Sequence, residues 1–320
     1  MLTTRYIVSI FSIAMMVLGA GVVAGQDYPT KPVRIVTQGI GSNTDVVSRL
    51  LAQELTGVWD KPVIVENRST GIIPIEVVSK ASPDGYTLLV IGNSIWTIPL
   101  LGKVPYDPVR DFSPVTVAIT APSILVVTPA LPVKSVKDLI ALAKAKPGVL
   151  NYASGAIGSS NHLATALFSS MAGINIVRIQ YKGIGESVIA LVAGEIQILF
   201  ASTAALAPHI ASGKVRALAV TSAQPSALAP GLPTISASGV PGYQANQVNS
   251  LFAPAKTPET IINRLNRDIV RVLNRPDVKE KFFKTGLETV GSSPQQLATA
   301  MKSEMARIGK VIKDAGIPTK

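Results

Sequence analysis

The chain has 320 residues, 47% of them hydrophobic and 15% charged, which supplies two sizeable cores and excludes disorder over most of its length. Thirty Lys and Arg against nineteen Asp and Glu leave a formal charge of +11, yet the basic residues are scattered singly among only seven Phe, seven Tyr and two Trp, which argues against nucleic acid as a partner. The lack of cysteine excludes disulfides, thiolate metal sites, a cysteine nucleophile and a lipoprotein anchor, and with two His no metal site is expected.

The N-terminus has the layout of a cleavable secretory signal: Arg5, an apolar run from Tyr6 to Leu18, then small residues up to Gly25. An uncleaved anchor is the competing reading, since Ile7 to Ala24 approaches the ~20 apolar residues of a spanning helix. Ser9, Ser12 and the glycines dilute that run, and no basic flank follows. Residues 1–25 are therefore expected to be a signal peptide, and the mature chain to work in the periplasm.

Beyond it, β-branched runs alternate with helix-period segments. Strands are predicted at 33–37, 62–66, 86–91, 124–128, 151–154, 176–181, 195–201 and 216–222. Helices are predicted after Thr44, where Val47, Leu50, Leu51 and Leu55 share a face, and after Ser135, which forms a capping-box pattern with Asp138. A short helix closes at Gly194, and two more open at Thr257-Pro258 and at Ser293-Pro294. The pattern is α/β, with mainly parallel sheets expected.

Two strand-to-helix loops have nothing in them to build a core. One is GIGSNTD at 39–45, and the other lies within YASGAIGSSNHL at 152–163. Glycines and hydroxyls there leave the first N–H groups of a helix free at the positive end of its dipole, a place that binds anions. The bland account is that Thr44 or Asp45, and Ser160 or Asn161, are only N-caps. A third polar strand end, GNS at 92–94, favours convergence on one cleft. The candidate ligand-binding set is Gly41, Ser42, Thr44 and Asp45 from the first loop, Asn93, Ser94 and Trp96 from the third, and Ser154, Gly155, Gly158, Ser159, Ser160 and His162 from the second, with Ser202 at the end of LFAS. His162 either donates to a carboxylate or anchors its loop, Trp96 is read as a pocket wall rather than a wedge, and Glu186 as a cap. Neither loop has the Lys-Ser/Thr of a phosphate loop, and no G-x-S-x-G exists to support a hydrolase.

YPTKPVRIV, KPVIVENR, SPDGYTLL, VPYDPVRDFSPV, KPGVLNYAS with GSSNHL, PHIASGKVRALAVTS, LPTISASGVPGY and LFAPAKTP follow one another in an order that resembles the extracytoplasmic solute receptors of tripartite tricarboxylate transporters, the Bug receptors. The resemblance spans nearly everything past Asp27. It implies a type II periplasmic binding protein-like fold, two α/β lobes joined by a hinge with the ligand cleft between them. Lobe 1 is expected over 26–123 and 250–320, with the C-terminal helices rejoining it, and lobe 2 over 124–249. The implied function is capture of a small carboxylate-bearing anion and its delivery to a membrane permease, by a monomer with no cofactor and no catalysis. A periplasmic sensor for a signalling partner is the alternative, and a hydrolase a weaker one.

The pocket departs from the family pattern. Thr37 to Ser42 replace P-F-x-x-G-G, Ala156-Ile157 replace Gly-Asn, Ser69 to Pro74 replace a glycine-rich turn, and Ala201 stands where an Asp is frequent. Either Ile40, Ile72, Ile73, Pro74 and Ile157, with Trp96, add apolar surface to the site and favour an apolar-bodied monocarboxylate over citrate, or the isoleucines face the lobe cores and never meet the ligand.

Overall fold

The computed structural model describes residues 28–68, 71–155 and 157–319. The expected signal peptide and its cleavage point near Ala24 or Gly25 lie outside the described residues, as do Ser69, Thr70 and Ala156.

The first sheet grows from β1 (Val33–Thr37), β2 (Val63–Asn67) and β3 (Thr87–Gly92), with α1 (Asn43–Trp59) and α2 (Ile73–Ser79) as crossovers. β1 pairs in parallel with both neighbours. After the short α3 (Ser94–Thr97) comes β4 (Phe112–Ala121), and two residues later β5 (Ser123–Val127) is already in the second sheet. There follow α4 (Val136–Ala145), β6 (Asn151–Ser154), α5 (Ser160–Ala172), β7 (Val177–Gln180), α6 (Ile184–Ala193), β8 (Ile198–Ser202), α7 (Thr203–Ala211) and β9 (Arg216–Val220). The chain then returns to the first sheet as β10 (Gln247–Pro254) and ends with α8 (Glu259–Leu273), α9 (Pro276–Lys284), β11 (Glu288–Thr289) and α10 (Pro294–Asp314). The sheet orders are β11-β4-β10-β3-β1-β2 and β7-β6-β8-β5-β9.

Both sheets are mixed, which corrects the expectation of mainly parallel ones. β6 is parallel to β7 and β8, but β5 is antiparallel to β8 and β9, and β10 is antiparallel to β3 and β4. A parallel pair needs a crossover of a dozen or more residues. The exceptions are the strands that carry the chain between lobes. The sheet assignment changes at Pro122, and changes back between Ala245, whose N–H donates to Thr221 O at 3.0 Å in the second lobe, and Gln247 in the first.

Each lobe has its own core. Val33, Leu88, Leu251 and Leu265 are fully buried in the first, Leu125, Phe168, Phe200 and Ile235 in the second. α8 and α9 rejoin the first lobe through Ile262, Ile269, Val278 and Phe282. α10 does not simply do so. It starts in a capping box made by Ser293 and Gln296, packs Leu297 and Met301 on the first lobe, and buries Ile308, Val311 and Ile312 in the core of the second. Its 21 residues, a rod of about 30 Å at 1.5 Å per residue, tie both lobes together behind the crossings.

Candidate functional site

The first loop closes on itself. Ser42 caps α1, its Oγ accepting the Asp45 N–H at 3.2 Å and lying 2.9 Å from Thr44 Oγ1. Asp45 turns inward: its buried carboxylate accepts from Gly41 N–H at 2.9 Å and Asn67 Nδ2 at 2.8 Å, and pairs with Arg49 Nε at 2.9 Å. Burial pushes the Asp45 pKa up, but these donors outweigh it and hold the carboxyl below its ordinary value. Asp45 and Gly41 therefore shape the loop and do not line the cleft. α1 leaves the Asn43 and Thr44 N–H groups without intrahelical partners.

The second loop is held from behind. Arg178 on β7 donates from Nε to Ser154 Oγ and from Nη2 to Gly155 O, both at 2.6 Å. Gly158 takes φ +82°, a conformation side chains rarely adopt, and its N–H donates to Nδ1 of His162 at 3.0 Å. Asn161 Oδ1 accepts from Ser159 Oγ at 2.8 Å. Ser154, Gly155 and His162 are thus supports, and His162 lines a separate cavity with Ser169 and Asp314.

A ring nitrogen that accepts is unprotonated, so His162 is neutral with its hydrogen on Nε2. Burial and the nearby Arg178 charge push its pKa from 6.5 down to about 4. The unfolded chain takes up the proton near pH 6.5, so the stability this residue contributes is complete above that pH and declines as pH falls toward 4. His162→Asn keeps an acceptor near the Nδ1 position and removes the titration. Its melting temperature is expected to fall less steeply than that of the wild type between pH 6.5 and 4, and parallel curves would contradict this.

At the third strand end, Asn93 Oδ1 accepts from Val248 N–H at 2.9 Å, stitching β3 to the start of β10. Trp96 is not a pocket wall. It is 2% exposed and packs with Val36, Ile91 and Phe112 in the first lobe, because the turn of α3 directs it under the sheet.

Three adjoining cavities of about 160, 220 and 390 Å³ form one cleft between the lobes. Ser42 and Thr44 line it from α1, Asn93 and Ser94 from the third loop, Gly158, Ser159 and Ser160 from α5, and Ser202 from β8. Asn43 and Ser160, at the first turns of α1 and α5, share two of these cavities, so the two helix starts open on the same space. Among the described residues lining the cleft, only Glu304 and Arg307 are charged, and they pair with each other. The rest of the polar lining is hydroxyl, amide and backbone. Asn249, 5% exposed, lines the cleft with its Nδ2 donor unpartnered.

Sequence reasoning missed Gln38, Asn43, Thr97, Ser123, Asn161, Asn246, Gln247, Asn249, Glu304 and Arg307, all of which line the cleft. Gln38, Asn43 and Asn161 lie in or beside the loops already singled out, and Ser123 and Asn249 lie at the expected lobe boundaries. The apolar surface also comes from elsewhere. Ile40 and Ile157 are 82% and 48% exposed, Ile73 is exposed, and Ile72 packs against the first-lobe core over a buried Pro74; none of them lines the cleft. Its apolar lining is Leu163, Ala164 and Leu167 of α5 with Ala245 and Ile308 in one cavity, Val248 in the second, and Ile184, Phe200 and Ala201 in the third.

A family model described as the tripartite tricarboxylate transporter family receptor matches residues 47–317. The protein BugT of Bordetella pertussis is 34% identical over 317 residues, covering 96% of this chain and 97% of its own. Among solved structures, Rpa4515 of R. palustris with adipate aligns at a TM-score of 0.76 and 36% identity, over 92% of this chain and 100% of that one. MatC (Rpa3494) from Rhodopseudomonas palustris with bound malate aligns at 0.71 and 27%, over 89% and 100%. The fold is that of the two-lobed, type II periplasmic binding proteins, and the chain belongs to the tripartite tricarboxylate transporter receptor family.

Proposed function

We propose that the chain is an exported receptor that captures a small organic carboxylate in the cleft and hands it, unchanged, to the permease subunits of a tripartite tricarboxylate-type transporter. The observation that carries this reading is the pair of helix starts, α1 and α5, opening on one cavity whose neighbouring polar groups are uncharged. Such groups suit one or a few carboxylate oxygens, which would be costly to bury unpaired and which N–H and O–H donors satisfy directly. Ser42, Thr44, Asn93, Ser94, Ser159, Ser160 and Ser202 would hold the ligand, with Gly158 shaping the turn beside them. The residues around Pro122 and Asn246 form the hinge, and residues 1–25 are the leader removed on export to the periplasm. The adipate and malate of the two structural relatives belong to the same chemical class.

Titration calorimetry with adipate, malate, hexanoate and benzoate, followed by recovery of the ligand, tests the proposal. One-to-one binding of at least one acid, recovered intact, with a smaller radius of gyration in small-angle scattering, is expected. Consumption of the acid would make the protein an enzyme. An unchanged radius at saturation would make it a rigid binder rather than a closing receptor.

A further inference from the structure

The innermost of the three cavities differs from the other two. It lies between α5 and α10 beside the return crossing, and it opens to the cleft through Asn93, Ser94, Ser159 and Ser160. Leu163, Ala164, Leu167, Ala245 and Ile308 give it apolar walls. At about 160 Å³ it is the size of the apolar cavity, roughly 150 Å³, that houses a benzene ring in an engineered protein core. Its polar lining includes the pair Glu304 and Arg307, where Nη2 donates to both carboxylate oxygens at 2.6 and 2.7 Å. Two atoms on the side chains lining it have no partner among the described residues: the donor Nη1 of Arg307 and the acceptor Oδ1 of Asn246. Both are shielded from solvent, and a small turn of either side chain toward the cavity would give it a partner on a bound molecule.

We infer that this cavity is a second subsite, taking the far end of the ligand, and that this end is a neutral hydrogen-bonding group, a hydroxyl or a carboxamide, on an apolar body of about six carbons. The inference rests on the carboxylate reading of the cleft and adds what lies beyond the carboxylate. The body fits the walls of α5 and α10. A neutral end follows from the charge balance, because Glu304 already neutralises Arg307. A second carboxylate would meet Glu304 at close range, whereas a hydroxyl accepts from Arg307 and donates to Glu304 or Asn246. Because α10 is anchored in both lobes, a ligand seated here also touches the helix that joins them.

Calorimetric titration of the intact mature protein with hexanoate, 6-hydroxyhexanoate and adipate tests the inference. The hydroxy acid is expected to bind about tenfold tighter than either of the others, the scale of one hydrogen bond to a charged group. In the double variant Arg307→Met/Glu304→Leu, which removes both partners of the hydroxyl, its advantage over hexanoate is expected to vanish, and in Asn246→Ala to shrink, with melting curves confirming that at least one variant folds. Glu304→Gln releases the Arg307 charge and is expected to reverse the order, so that adipate binds tighter than 6-hydroxyhexanoate. Adipate binding tightest to the wild type, or an undiminished hydroxyl advantage over hexanoate in the double variant, would overturn the subsite. Equal binding of all three acids would overturn it too while leaving the carboxylate reading intact, and binding of none would overturn both.

Discussion

Replacing Ser160 by glutamate is expected to weaken carboxylate capture at least about a hundredfold while leaving the melting temperature unchanged or slightly higher. Ser160 is exposed at the first turn of α5 and lines all three cavities of the cleft, facing Asn43 at the start of α1. A glutamate there places a fixed negative charge where the ligand's own is to sit. Like charges brought together cost several kcal/mol, and a hundredfold loss corresponds to about 2.7 kcal/mol. For the helix the change is favourable, because a carboxylate in the first turn gains ~0.3–1 kcal/mol from the dipole. Ser160→Gln separates charge from bulk, being of similar size and neutral, and is expected to bind distinctly better than the glutamate variant. Equal affinity of the wild type and Ser160→Glu for adipate, hexanoate or benzoate, measured by calorimetry, would remove the helix starts from the site.

The largest expected loss of stability lies away from the cleft. Asp268 on α8 is fully buried and accepts from Trp59 Nε1 of α1 at 3.0 Å, Arg264 Nε at 2.7 Å and Arg271 Nη2 at 2.8 Å. Burial raises its pKa, but the Trp59 and Arg264 donors and the charges of Arg264 and Arg271 pull it below the ordinary value. Asp268→Ala strands the Trp59 N–H, on a side chain only 6% exposed, and leaves the arginines unbalanced. A cost of about 3 kcal/mol is expected in urea unfolding, the lower end for breaking a buried ion pair because the arginines reach solvent. Asp268→Asn keeps an acceptor for Trp59 and is expected to lose less. Since the folded pKa is the lower one, the contribution is complete above the unfolded value near 4 and fades as pH falls through the folded value. The deficit of the alanine variant should therefore be constant near neutrality and shrink only in acid. A cost under about 1 kcal/mol at pH 7 would show that α1 and α8 are held by packing alone.

The parts of the fold legible in the sequence were those written in local chemistry. Ser135 and Ser293 cap the helices predicted after them, and Gly194 ends α6 in the left-handed conformation at φ +82°. The antiparallel crossing strands were not legible, because a strand run does not record which sheet it joins. The two polar loops were recognisable because glycine and hydroxyls between a β-branched run and an amphipathic run serve no core. The division of labour inside them was not. Asp45 and His162 have the chemistry of ligand contacts, yet partners at Asn67, Arg49 and Gly158 turn them into scaffolding. Trp96 follows a polar loop in sequence, but one helical turn carries it into the core. Glu304 and Arg307 sit three apart on an amphipathic helix, and nothing in that spacing marks a cleft; only the packing of α10 against both lobes brings them to it.

Denaturing mass spectrometry of what co-purifies from the periplasm tests whether the cleft between the two helix starts is a carboxylate site. Wild-type protein is predicted to release one equivalent of a small organic acid, and Ser160→Glu protein prepared in parallel to release none. The same acid recovered at the same stoichiometry from both proteins, or a ligand that carries no acid group, would contradict the account.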